Sequence, residues 1–212
     1  MKMIIKLLIP LLTLFVSCDG TDEEKPIVIT PEEISIYKGN NIVADGNVDS
    51  EEWADAKHVE ISMVDRENIK IFVKHNDESL LLMFILNNPS VTSVVFPEIL
   101  IDANNNKSES WMSDDWWFHV SGSDCVSQGS YSVYTNCEVE QPDWYAVPNY
   151  PTSSPGIVDT IEVIIPFSKV GISKGETFGL ALLVTNTVNL VKYWPTNANI
   201  HKPSSWSNAK ID

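Results

Sequence analysis

The sequence predicts an all-β protein: one antiparallel β-sandwich, immunoglobulin-like or jelly-roll-like in build. Three observations predict it. Short apolar runs of period two recur from about Lys25 onward, cut by polar turns at roughly even spacing. No stretch carries the apolar stripe of a long helix. The 212 residues, 43% of them hydrophobic, suffice for one packed core and show neither an internal repeat nor a second domain.

The chain opens on a targeting segment, residues 1–17. Lys2 and Lys6 make a basic start, and Leu7 to Val16 an apolar run of ten residues, too short to span a bilayer. Small Ser17 directly before Cys18 resembles a lipobox, which implies a lipidated Cys18 as the mature N-terminus. Residues 18–26 form a linker whose Asp19, Asp22, Glu23 and Glu24 resemble the export signal of Bacteroidetes surface lipoproteins. The expected location is the bacterial outer membrane, lipid-anchored and surface-exposed, or alternatively facing the periplasm. The sandwich then occupies 27–212.

Within it, Ser50–Asp55 predicts one short helical turn with Ser50 as N-cap and Trp53 pointing into the core. Ile69, Ile71 and Val73 alternate with Lys70 and Lys74, a strand with one wet face. The turn His75-Asn76-Asp77-Glu78 leads into Leu80–Leu86, apolar throughout and so buried on both faces. Further strands are predicted over Val94–Asp102, Trp116–Ser121, Tyr131–Tyr134, Val158–Pro166 and Phe178–Val184. Cys125 and Cys137, in a chain that leaves the reducing cytoplasm, are expected to form a disulfide.

Charge narrows the partners. With 14 Lys+Arg against 29 Asp+Glu, the net charge of −15 argues against nucleic acid and against anionic membrane surfaces. Seven tryptophans exceed what a core of this size needs, so some are expected at a recognition surface.

Three stretches, in order, carry a family resemblance. Asp45-Gly46-Asn47-Val48-Asp49-Ser50-Glu51-Glu52-Trp53-Ala54-Asp55-Ala56, then Pro97-Glu98-Ile99-Leu100-Ile101-Asp102-Ala103-Asn104-Asn105-Asn106-Lys107, then Asp114-Asp115-Trp116-Trp117-Phe118-His119-Val120-Ser121 resemble the motifs of family 9 carbohydrate-binding modules. The resemblance spans about residues 42–210. It implies a sandwich that binds sugars and calcium, does no chemistry of its own and works beside polysaccharide-degrading enzymes. His119 stands where the family has arginine, and the Cys125–Cys137 segment has no counterpart.

Sugars are held by aromatic rings against their C–H faces and by polar groups at their hydroxyls. Candidate binding residues are Trp111, Trp117, His119, Trp144 and Trp194, with Glu98 and Lys107 from the second motif. Strand alternation puts Trp116, Phe118 and Val120 on the core side and Trp117 and His119 on the ligand side. Trp111, Trp144 and Trp194 lie in turn-rich segments where binding residues concentrate. The resemblance implies two facing tryptophans, for which Trp111 and Trp194 are the expected pair.

Asp102, Asn104, Asn106 and Ser108 place oxygens on alternate residues, with Asp114 or Asp115 available to close a calcium site. The same pattern also suits an Asn-rich turn that satisfies its own backbone. The reading is a non-catalytic, glycan-binding lipoprotein supported by calcium. The alternatives are a surface protein that binds another protein, and a glycoside hydrolase of unrecognised type.

Overall fold

The structure, a computed structural model, describes residues 33–64, 66–88, 95–121, 125–130, 143–149, 159–186 and 191–212, with only the backbone at 121 and over 125–130. It is the sandwich that the alternation predicts. One sheet has seven strands: β1 (Glu33–Ile36), β12 (Ser207–Ile211), β10 (Thr177–Thr185), β5 (Phe96–Asp102), β6 (Asp115–Ser121) and β7 (Cys125–Ser130) in that order, with β11 (Val191–Trp194) also paired to β10. The other has five: β2 (Lys57–Ile61), β3 (Ile69–His75), β4 (Ser79–Ile85), β9 (Thr160–Pro166) and β8 (Tyr145–Asn149). Every described strand pairing is antiparallel except β1 with β12, and just after β1 an isolated parallel bridge joins Lys38 to His75. The one α-helix among the described residues, α1 (Phe167–Val170), is a single turn.

The core lies between the sheets. Ile69, Ile71 and Val73 of β3, Leu80, Leu82 and Phe84 of β4, and Ile99 and Ile101 of β5 meet there with Phe118, Val120, Leu180 and Leu182. β4 is buried on both faces, as its unbroken apolar run requires: Leu81 and Met83 pack on the far side with Trp53. The predicted strand Tyr131–Tyr134 lies outside the described residues, as do Cys18 and Cys137.

The expected wet face of β3 is instead largely covered. The loop over 39–56 folds across the outer face of the five-stranded sheet, and the side chains it meets were chosen for it. Glu162, fully buried on β9, accepts hydrogen bonds from the Asp45 and Gly46 N–H groups at 2.9 and 2.8 Å and from Trp53 Nε1 at 2.9 Å. Lys74, also fully buried, donates to the Glu52 carbonyl and to Asp55 Oδ1, with its ammonium 5.2 Å from the Trp53 ring centroid. Gly46 sits at φ +78°, and a Cβ there would meet Asn149 N at 2.9 Å, so glycine is required at that contact. Trp53 is buried as expected, but in this outer cluster and not between the sheets. Residues 50–55 form turns without a helix. Asp49, not Ser50, supplies the local cap, accepting from Glu51 N at 2.8 Å.

Candidate functional site

The candidate site lies on the outer face of the seven-stranded sheet, and strand register assembles it. Tyr193 pairs with Leu183, Leu183 with Glu98, and Glu98 with His119, so four strands contribute one continuous row. The next row holds Ala181, Leu100 and Trp117, and the one beyond it Gly179, Asp102 and Asp115. Because alternate residues share a face, β5 presents Glu98, Leu100 and Asp102 outward, while β6 presents Asp115, Trp117 and His119. A polar couple at each end flanks an apolar centre.

Glu98 organises the first end. Only 5% exposed, it accepts from Trp117 Nε1 at 2.8 Å through Oε2, and from His119 Nδ1 and Thr185 Oγ1, both at 3.0 Å, through Oε1. The Trp117 and His119 rings stack, centroids 5.3 Å apart and planes 23° from parallel. With Nδ1 held by the carboxylate, the imidazole turns Nε2 away from Glu98. Burial, with a contribution from the charge of Glu98, raises the Tyr193 phenol above its ordinary range. Beneath and beside this row, Trp117 packs with Leu100, Leu183 and Trp206, and Trp111 and Tyr193 cover the edge. Trp111 donates through Nε1 to the Ile200 carbonyl at 2.6 Å and meets Trp206 edge-on at 5.5 Å.

Sequence reasoning placed Glu98, Trp117, His119 and Trp111 here, and the structure brings these four to one face. Trp117 faces away from the main core as expected, but at 6% exposure it is floor and not platform. Lys107 is committed elsewhere: its Nζ donates to the Trp206 and Ser207 carbonyls, pinning the chain that carries Trp206.

Two tryptophans are not where their turn-rich surroundings suggested. Trp144 is fully buried against Phe118, centroids 4.9 Å apart, and Trp194 is 6% exposed within the inter-sheet core. Trp194 therefore lies on the opposite side of the sheet from Trp111, and the expected clamp between them is not formed. Both residues adjoin a strand end, where a large side chain folds back to close the core. Thr185, Tyr193 and Trp206 were missed. Only the pairing of β10 with β5 and β11, which no local pattern encodes, brings the first two beside Glu98.

At the other end, Asp102, Asp114 and Asp115 bring carboxylate oxygens within 4.8 Å of one another. The rest of the expected ligand set does something else. Asn104 Oδ1 accepts from Asn106 N at 2.9 Å, Asn106 Oδ1 accepts from Ser108 N at 3.0 Å, and Ser108 Oγ donates to the Ser110 carbonyl at 2.6 Å. These alternating oxygens tie the turn to itself. Asp102 supports it too, accepting from the Asn106 and Lys107 N–H groups at 3.2 and 3.0 Å. Burial raises the Asp102 carboxyl above its usual range. Asp115 is pushed up to about 7, first by burial and then by the charges of Asp102 and Asp114. Asp115 Oδ1 is buried without a hydrogen-bond partner. Gly179 makes room for the cluster, since a Cβ there would lie 2.8 Å from Asp102 Cβ.

No protein-family model and no curated protein matches the sequence. Solved structures do match. One is a carbohydrate binding module family 9 from Caldicellulosiruptor kristjanssonii in complex with cellotriose: 18% identity over 85% of this chain and 94% of that one, TM-score 0.61. Another, a module of that family from the same organism in complex with glucose, has 19% identity over 85% and 96%, again with TM-score 0.61. The chain has the β-sandwich fold of those family 9 modules, the family that its three motifs resemble.

Proposed function

We propose that the protein binds neutral oligosaccharide or polysaccharide chains, without turnover, on the outer face of the seven-stranded sheet around Glu98 and His119. One observation carries the reading: a nearly buried carboxylate on an outward sheet face gathers an indole, an imidazole and a hydroxyl into one rigid network. Such an arrangement costs desolvation unless fully paired, and its product is a fixed array of ring edges and faces. His119 offers its outer nitrogen to a sugar hydroxyl. Trp111 and Tyr193 offer ring surface, and Glu98 positions the others. The cellotriose and glucose complexes of the structural neighbours support the ligand class.

The carboxylates Asp102, Asp114 and Asp115 fit a hard divalent cation. They are an all-oxygen donor set with one buried oxygen, Asp115 Oδ1, left unpaired. Calcium there would neutralise their mutual repulsion and brace the end of β5 against β6. A lipidated Cys18 would hold the module at the outer membrane, beside polysaccharide-degrading enzymes.

Titration with cellotriose and glucose tests the binding. Glu98→Gln and His119→Ala should each weaken it about 10-fold, the worth of one hydrogen bond to a charged group, with reducing ends from a polysaccharide panel staying at background. Saccharide binding that ignores both substitutions, or an array on which no glycan binds, would overturn the reading.

A further inference from the structure

A second groove lies away from this face, at the side of the sandwich where two sheet edges meet. Its volume is about 370 Å³, the size that holds about one or two pyranose rings. Glu33, Ser35 and Tyr37, on and just after β1, form one wall; Lys57 and His58 of β2 form the other, and Trp194 lies at the end of β11 between them. Among the described strands β1 pairs only with β12 and β2 only with β3, so the walls are the edges of their sheets there.

We propose that this groove is a second saccharide site, and that it takes an acidic sugar, a hexuronate residue of a polysaccharide. The proposal does not rest on the reading of the Glu98 face. The lining supplies the two halves of such recognition. Tyr37 is 45% exposed, so its ring is open to a ligand. Trp194 is 6% exposed, yet its indole N–H has no hydrogen-bond partner among the described residues, so a donor is left over in an otherwise buried side chain. Lys57 stands with its ammonium 5.4 Å from the Tyr37 ring centroid.

Charge decides the ligand class. Acidic residues outnumber basic ones 29 to 14, and Lys38, Lys74, Lys169, Lys174, Lys202 and Lys210 each have a carboxylate partner. Lys57 has none among the described residues, and His58, whose ring meets only Phe72 at 5.7 Å, lies beside it. Glu33 is the one carboxylate on the lining, and it makes no ion pair with Lys57. The groove thus sets a lysine without an ion-pair partner beside an exposed ring and a free N–H. A pyranose on the ring, its carboxylate on Lys57 and an oxygen on the indole N–H would satisfy all three.

Calorimetric titration of the full chain with trigalacturonate, its fully methyl-esterified form and cellotriose is the test. Trigalacturonate should bind, and Lys57→Gln and Tyr37→Ala should each weaken it at least 10-fold at unchanged melting temperature, since both side chains are exposed. Methyl esterification should cost a similar factor, and Glu98→Gln should leave trigalacturonate binding intact. Absence of trigalacturonate binding at millimolar concentration, or binding indifferent to Lys57→Gln, would overturn the site. Equal binding of the ester would overturn its acidic ligand, and loss in Glu98→Gln would move the acid sugar to the other face.

Discussion

Glu162 and Trp53 show how single residues decide the architecture of a face. A carboxylate in the middle of a sheet is a liability unless every oxygen is paired. Glu162 escapes the penalty because two backbone N–H groups and the Trp53 indole converge on it. Removing the indole takes away one of these donors and much of the cover over Leu81 and Met83. Trp53→Ala should therefore cost about 3–5 kcal/mol, the range of large-to-small changes at buried aromatics, read as a fall in the denaturation midpoint. A variant that unfolds at the native midpoint would show that the loop does not need its tryptophan. Trp53 was legible as a buried residue from its motif. Glu162 was not, because a lone Glu in an apolar run looks like any solvent-facing strand position until its partners, more than a hundred residues away, are in place.

At the scale of elements, β5 and β6 are the pair on which both candidate ligands depend. Their outward residues run from Glu98 and His119 at one end to Asp102 and Asp115 at the other. The carboxyl end carries a pH signature. Folded Asp115 keeps its proton up to about pH 7, whereas in the unfolded chain it ionises near the ordinary aspartate value. Between those limits the folded state binds more protons, so stability falls as pH rises. The aspartates whose values are lowered, such as Asp55 and Asp77, act only below that window. Metal-free protein should thus lose about 2 kcal/mol from pH 5.5 to pH 8 through Asp115, a melting decrease of roughly 4–8 °C. Calcium should remove most of that difference, because a cation that binds the folded state compensates the ionised cluster. Melts with and without chelator at the two pH values decide it: a flat chelated profile would show that Asp115 is not strained.

Six strands, β3, β4, β5, β6, β9 and β10, were legible to within about two residues, since alternation or an unbroken apolar run is written locally in each; β1, β2, β7, β8, β11 and β12, shorter or more polar, were not. Which strands neighbour which was not legible either. The motif after Asp102 suited either a turn or a set of cation ligands, and the sequence does not say which oxygens the backbone will use. The turn takes those of Asn104, Asn106 and Asp102. The tryptophans misled for a related reason. Position in a polar, turn-rich segment describes the neighbours along the chain, and Trp144 and Trp194 are buried by neighbours in space.

For the molecule as a whole, the targeting reading of residues 1–17 has a direct test. Cys18→Ala should shift the protein from the membrane fraction to the soluble fraction on cell lysis, because one residue carries the whole anchor. Full retention of the variant in membranes would reject lipidation at that site.

The parallel pairing of β1 with β12 sets Glu33 beside Asn208 and Ile36 beside Ile211. Among the described strands, β1 is thus held by β12 alone. During synthesis Ile34 and Ile36 have no sheet to join until some 170 later residues have appeared, and in the finished protein both are buried. Pairing of β1 is therefore a late event, slow in the manner of folds dominated by distant contacts. Loss of β12 alone would leave this edge of the seven-stranded sheet open, with Ile34 and Ile36 deprived of their ladder partners.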